Sequence, residues 1–172
     1  MQNVKDTKRR FKKWKKNLKL EKQKKEDIKL IFDFIKELAE YEKMSDDVIA
    51  TEETLSYRLF DKKIGETLFI MVDGKEVGFA SYFFNFSTFV GRVGLYLEDL
   101  YIRKEYRGRG YGTRVFKELA KIATQNDCKR FEWCCLNWNT PSIAFYKSLG
   151  AKPMDEWTTY RLSGDELKKL AE

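Results

Sequence analysis

Apolar residues recur at three- and four-residue spacing through Ile28, Ile31, Phe32, Ile35, Leu38 and Ala39, which predicts a helix over 25–42. Before it, residues 17–21 alternate as a short strand would. Ser45, Asp46 and Asp47 interrupt the pattern, and Thr51 with Thr54 and Leu55 predicts a second short helix capped by Thr51. The period then changes to two. Residues 68–72 read as a strand, Asp73-Gly74 as a hairpin turn and 76–84 as the return strand. Residues 85–88 loop over to a third long strand, 92–102. A helix opens at Thr113 with Val115, Phe116, Leu119, Ile122 and Ala123 along one face, followed by a strand over 130–136. Asn139-Thr140-Pro141 starts a helix that Gly150 ends. Residues 157–162 read as a last strand, and Ser163 opens a tail helix. Helices and strands alternate without repeats, which predicts one mixed α/β domain around a central sheet.

Composition narrows the chemistry. The 172 residues fit one domain, and 42% hydrophobic residues supply a core. The chain has no histidine, which excludes a Ser-His-Asp triad and imidazole zinc sites and leaves acid–base work to Tyr, Glu, Asp, Lys or Cys. Three cysteines, Cys128, Cys134 and Cys135, are an odd number, and the adjacent pair suits opposite faces of a strand, so no disulfide framework is expected. No apolar run approaches a membrane span, and the start of the chain lacks an apolar signal stretch, so a soluble cytoplasmic protein is expected. The net charge of +7 is unevenly placed: residues 1–25 carry 12 Lys/Arg against Asp6 and Glu21, a net of +10, and the remainder is −3.

Between the third long strand and the next helix stands Arg107-Gly108-Arg109-Gly110-Tyr111-Gly112. Three alternating glycines let the backbone curl into a nest of N–H groups, and the following helix N-terminus adds positive potential, which together suit a phosphate. Arg107 and Arg109 are placed to contact outer phosphates. No Rossmann spacing and no Gly-Lys-Thr is present, which disfavours dinucleotide and Walker-type sites.

This loop, the preceding L-E-D-L-Y-I and the block W-N-T-P-S-I-A-F-Y-K-S-L-G-A at 138–151 resemble the GNAT superfamily of N-acetyltransferases. More narrowly they resemble its spermidine/spermine (diamine) acetyltransferases, with support from 35–42, 77–82 and Y-L-E-D at 96–99. The resemblance implies one GNAT-type domain over 17–172. Its sheet would be mixed and mostly antiparallel, flanked by helices, with a splayed strand pair holding the cofactor. It implies acetyl-CoA as donor and no metal. Its pyrophosphate would lie on Arg107, Gly108, Arg109, Gly110, Tyr111, Gly112 and Thr113, and its pantetheine arm along Leu100, Tyr101 and Ile102. Asn139 and Ser142 would help to hold it. The implied reaction is direct attack of a primary amine on the thioester. A protonated amine of pKa near 10.4 is neutral about once in 10³ molecules at pH 7, a handicap of roughly 4–5 kcal/mol. By resemblance Glu98 meets the substrate and removes the proton, and Tyr146 protonates the leaving thiolate. A polyamine slot would be lined by Tyr41, Glu42, Glu98, Glu132, Asp155 and Trp157. The connection from Gly150 to Trp157 is shorter than in animal polyamine acetylases. Thialysine, another amino-acid side chain or a protein amine stand as alternative substrates, and the resemblance implies a homodimer.

Residues 1–16 fall outside the resemblance and read as a flexible basic extension. If residues 5–16 form a helix, Phe11, Trp14 and Leu18 share a stripe among lysines, which suits weak contact with RNA, an anionic membrane or an acidic partner. A basic binding module carrying an inactive body is the non-enzymatic alternative.

Overall fold

The structure is a computed structural model that describes residues 18–172. The expected basic extension lies outside the described residues. The described chain forms a compact unit that ends at Cys134 and a second, Cys135–Glu172.

The first unit carries a five-stranded sheet in the order β1-β2-β3-β4-β5. β1 is Leu18–Lys22, β2 Glu66–Val72, β3 Lys75–Ser87, β4 Arg92–Ile102 and β5 Phe131–Trp133. Neighbours pair antiparallel from β1 to β4, and β5 joins β4 in parallel. The sheet is therefore mixed and mostly antiparallel, as expected. The β2–β3 turn uses Asp73 at φ 51° and Gly74 at φ 76°, the two left-handed residues a tight hairpin with right-handed strand twist requires. β3 continues to Ser87, so the loop to β4 falls later than the expected 85–88.

The first long helix, α1, is Ile28–Glu42, entered through a 3-10 turn at Lys25–Asp27. Its three-and-four spacing buries Ile31, Phe34, Leu38 and Ala39. Ile31, Phe34 and Leu38 form one core cluster with Phe69, Met71 and Phe79 of the sheet, and each fully buried side chain contributes roughly 1.5–3 kcal/mol. α2, Glu52–Ser56, starts at Thr51, whose Oγ1 accepts the Thr54 N–H at 3.1 Å. α3, Tyr111–Gln125, buries Val115, Phe116, Leu119 and Ala123. It sets the Phe116 ring 4.8 Å from Trp133 and 5.3 Å from Phe131, and Arg114 donates to the Leu18 carbonyl at 2.9 Å. β2, with Leu68 to Val72 all buried, is covered on both faces, which explains its unbroken apolar run.

The second unit contains α4, Thr140–Ser148, and α5, Gly164–Leu170. Two sequence expectations fail. The strand over 130–136 shrinks to Phe131–Trp133, because β4 offers partners only from Leu95 to Leu97. Residues 157–162 form no strand: Trp157 is 75% and Tyr160 91% exposed, and no ladder pairs them with another strand among the described residues. An alternating pattern needs a partner to become a strand. No disulfide joins the three cysteines. No described helix is long and apolar enough to cross a membrane.

Candidate active site

The middle of β4 is where the sheet opens. Ser81 of β3 faces Asp99 and Tyr82 faces Leu97, which leaves Glu98 as an extra, bulged residue. Parallel pairing with β5 ends at Leu97↔Trp133, whereas β4 runs on to Ile102 against β3. The edge of β4 away from β3 therefore has no ladder partner over 98–102 among the described residues.

The bulge exposes Glu98 and turns Asp99 and Tyr101, two residues apart, toward α1. Tyr101 packs against the α1 core cluster, with its ring 6.5 Å from that of Tyr41. Burial pushes the Asp99 carboxyl up to about 7, and the negative charges of Glu98 and Glu42 add to the effect. Glu42, at the end of α1, is itself raised by burial. Its helix stops at Lys43, left-handed at φ 62°, so the negative end of the helix dipole adds to the same potential. Glu42 and Glu98 are thus both close enough to Asp99 for their charges to act on it, while Tyr41 pairs with Tyr101. A carboxyl titrating near neutrality beside other carboxylates is suited to take a proton from an ammonium group. By resemblance the Y-L-E-D segment at 96–99 points to Glu98, and the strand pairing adds Asp99 beside it. Alternation cannot separate two adjacent acids, and the bulge that does so is a property of pairing.

Glu132 has other partners. It lies 2.9 Å from Arg130 Nε and accepts from Asn85 Nδ2 at 3.4 Å. The neighbouring Tyr96 donates its hydroxyl to Cys134 Sγ at 3.0 Å. Burial raises the Tyr96 phenol, and this hydrogen bond and the charges of Glu98 and Glu132 raise it further. Glu98 is the carboxylate that both Asp99 and Tyr96 sense.

Beyond Ile102 the chain turns through Lys104–Tyr106 into the glycine loop. Gly108 and Gly110 sit at φ 72° and 79°, a region where a side chain is strained. A Cβ on either would meet nothing within 4 Å, so these glycines serve the backbone and the outer face of the loop stays open. Gly110 caps α3, and the N–H groups of Tyr111, Gly112 and Thr113 in its first turn have no intrahelical acceptor. Donors, dipole and open face fit a diphosphate, and the unpaired 98–102 edge fits an amide-bearing arm. The arginines divide. Arg109 lies over Tyr106 at 5.4 Å and hydrogen-bonds Tyr111. Arg107 instead lies over Tyr41 at 4.4 Å, with Nε donating to the Ile102 carbonyl at 2.6 Å.

In the second unit, Asn139 caps α4, its side-chain oxygen accepting the Ser142 N–H at 3.3 Å. Tyr146 lies on the same helix, its ring 5.4 Å from Phe145. Asp155 and Trp157 stand on exposed backbone outside any helix or strand.

Comparison with known proteins gives a consistent picture. Residues 31–151 match the model of the acetyltransferase (GNAT) family. A thialysine N-epsilon-acetyltransferase of Sus scrofa is 37% identical over 153 residues, covering 82% of this chain and 89% of that protein. The human spermidine/spermine N(1)-acetyltransferase-like protein 1 is 33% identical over 156 residues, covering 84% of this chain but 22% of that protein. Among solved structures, an integron cassette protein from V. cholerae superposes with a TM-score of 0.76 at 30% identity, covering 91% of this chain and 98% of the other.

Proposed function

From the premise that the chain belongs to the acetyltransferase (GNAT) family and is an N-acetyltransferase, we propose that it moves the acetyl group of acetyl-CoA to the terminal side-chain amine of a lysine-length amino acid of the thialysine type. The relatives favour this over the polyamine expected first from the sequence.

The observation that carries the proposal is Asp99, its carboxyl held at about 7 beside Glu98 and Glu42 where β4 leaves β5. The cluster attracts the ammonium form and Asp99 takes its proton. The freed nitrogen attacks the thioester carbonyl; the C–N bond forms and the C–S bond breaks. Tyr146 keeps the role implied by resemblance, donating a proton to the departing thiolate. The loop 107–113 and the 98–102 edge bind the donor, whose chemistry is the thioester itself.

The test is release of free thiol from acetyl-CoA with thialysine, lysine, ornithine, spermidine and putrescine. Thialysine or another ω-amino acid should give the highest kcat/KM. Absence of turnover with every amine would overturn the proposal, and a clear preference for spermidine would restore the polyamine reading.

A further inference from the structure

β3 outlasts one of its neighbours. Its ladder with β2 ends at Tyr82, opposite Glu66, whereas its ladder with β4 continues to Ser87. Over residues 83–87 the edge of β3 away from β4 therefore pairs with no strand among the described residues. The ribbon is firmly closed: its last pair is Ser87↔Arg92, and the N–H of Gly91, a residue at φ 63°, donates to the Ser87 carbonyl at 2.8 Å. A fixed strand with a row of unpaired backbone groups is a template for another strand.

The two edges of the sheet differ in sequence. β1, at the far edge, carries Lys19, Glu21 and Lys22 with exposed side chains. Such charges keep other strands off an edge, because pairing would desolvate them. Residues 83–87 read Phe-Phe-Asn-Phe-Ser, with no charge and no proline. Phe84 and Phe86 stand on one face, opposite Leu95 and Val93 of β4. Phe84 is 39% exposed, Phe86 63% and Phe89, in the turn, 99%. Together they leave the surface of about two phenylalanine rings in water, roughly 300–500 Å². One partner of a standard interface buries about 800 Å², so these rings supply about half of that, and the strand backbone and the half-exposed Val90 add to it.

Symmetry indicates the occupant. Identical strands paired antiparallel have a two-fold axis through a residue that faces its own copy. With the axis at Asn85, all five unpaired residues find partners: Phe84 faces Phe86 of the second copy, Phe86 faces Phe84, and Phe83 faces Ser87. Cross-strand aromatic pairs stabilise a sheet beyond the area they bury. The turn of each copy then abuts the start of β2 of the other, where Ile64 is exposed, giving Phe89 an apolar neighbour.

We propose that two copies of the chain associate by pairing their β3 edges antiparallel over residues 83–87, so that β3 and β4 of both copies form one continuous sheet.

Sedimentation equilibrium of the full chain over a concentration series tests it. The mass should rise from the 20.5 kDa of one chain to twice that value. Phe86→Lys places a charge at an exposed position of the edge and should raise the dimer dissociation constant at least tenfold, with an unchanged circular dichroism spectrum. Asn85→Cys reads the register. With glutathione disulfide as oxidant it should give a disulfide-linked dimer that the parent, with its three native cysteines, does not give. A parent that stays at 20.5 kDa throughout overturns the proposal. So does a dimer that Phe86→Lys leaves as tight as before, which places the contact on another surface. A dimer weakened by Phe86→Lys but not linked through Asn85→Cys also overturns it, replacing edge pairing by stacking of the aromatic faces. If Phe86→Lys does not fold, the parent's mass and the Asn85→Cys link decide.

Discussion

At the scale of single residues, neighbours set a proton's affinity. Asp99 ordinarily titrates near 3.8 and here near 7, through burial and then the charges of Glu98 and Glu42. The sign for stability follows. Between these values the folded chain holds a proton the unfolded chain has lost, so stability falls as pH rises from about 4 to about 7. Asp99→Asn removes that dependence. Thermal melts should show the variant losing less Tm than the parent between pH 4.5 and 8, with the higher Tm of the two at pH 8. Parallel pH dependences would show that Asp99 is not held protonated in the fold. Tyr146→Phe should lower kcat by about 10²-fold or more if the phenol is the acid; a rate within twofold of the parent removes that role. Neither residue's importance was equally visible in the sequence. Tyr146 stands in a recognisable F-Y-K block, whereas Asp99 differs from Glu98 only through the bulge opposite Ser81 and Tyr82.

At the scale of elements, local chemistry predicted local structure well. Thr51 was legible as a cap, and its hydroxyl accepts the Thr54 N–H. Thr51→Ala should cost about 1 kcal/mol, lowering Tm by roughly 2–4 °C in a calorimetric scan. The Asp73-Gly74 turn and the helix expected over 25–42, found over 28–42 after a 3-10 turn, were legible for the same reason, since dihedral preference and face periodicity belong to short segments. What depends on partners was not. Residues 157–162 alternate like a strand yet pair with no strand among the described residues, and β5 stops at Trp133, where its pairing with β4 ends at Leu97. The glycine loop lies between these cases: Gly110 was recognised from spacing, and its φ of 79° gives the reason. Gly110→Ala strains that cap by about 1–2 kcal/mol. Initial-rate kinetics should show KM for acetyl-CoA raised about tenfold with the amine KM little changed. The reverse pattern would move the donor away from the loop.

At the scale of the whole molecule, charge is divided along the chain, +10 over residues 1–25 and −3 over the rest. The acidic cluster at Glu42, Glu98 and Asp99 belongs to the second part, and the basic run belongs to the first. Removing residues 1–16 should therefore leave thialysine acetylation within about twofold, while any salt-sensitive retention on anionic vesicles or RNA is lost. Loss of catalysis in a folded truncation would show that the basic run takes part in the reaction. The central claim is that a near-neutral carboxyl on β4 receives the proton of an ω-ammonium group. Its most direct test is the pH dependence of kcat/KM for thialysine in the parent and in Asp99→Asn. The parent profile should rise through about pH 7, and the variant should be slower by about 10²-fold or more and lack that limb. A variant that keeps the parent's rate and rising limb would contradict it.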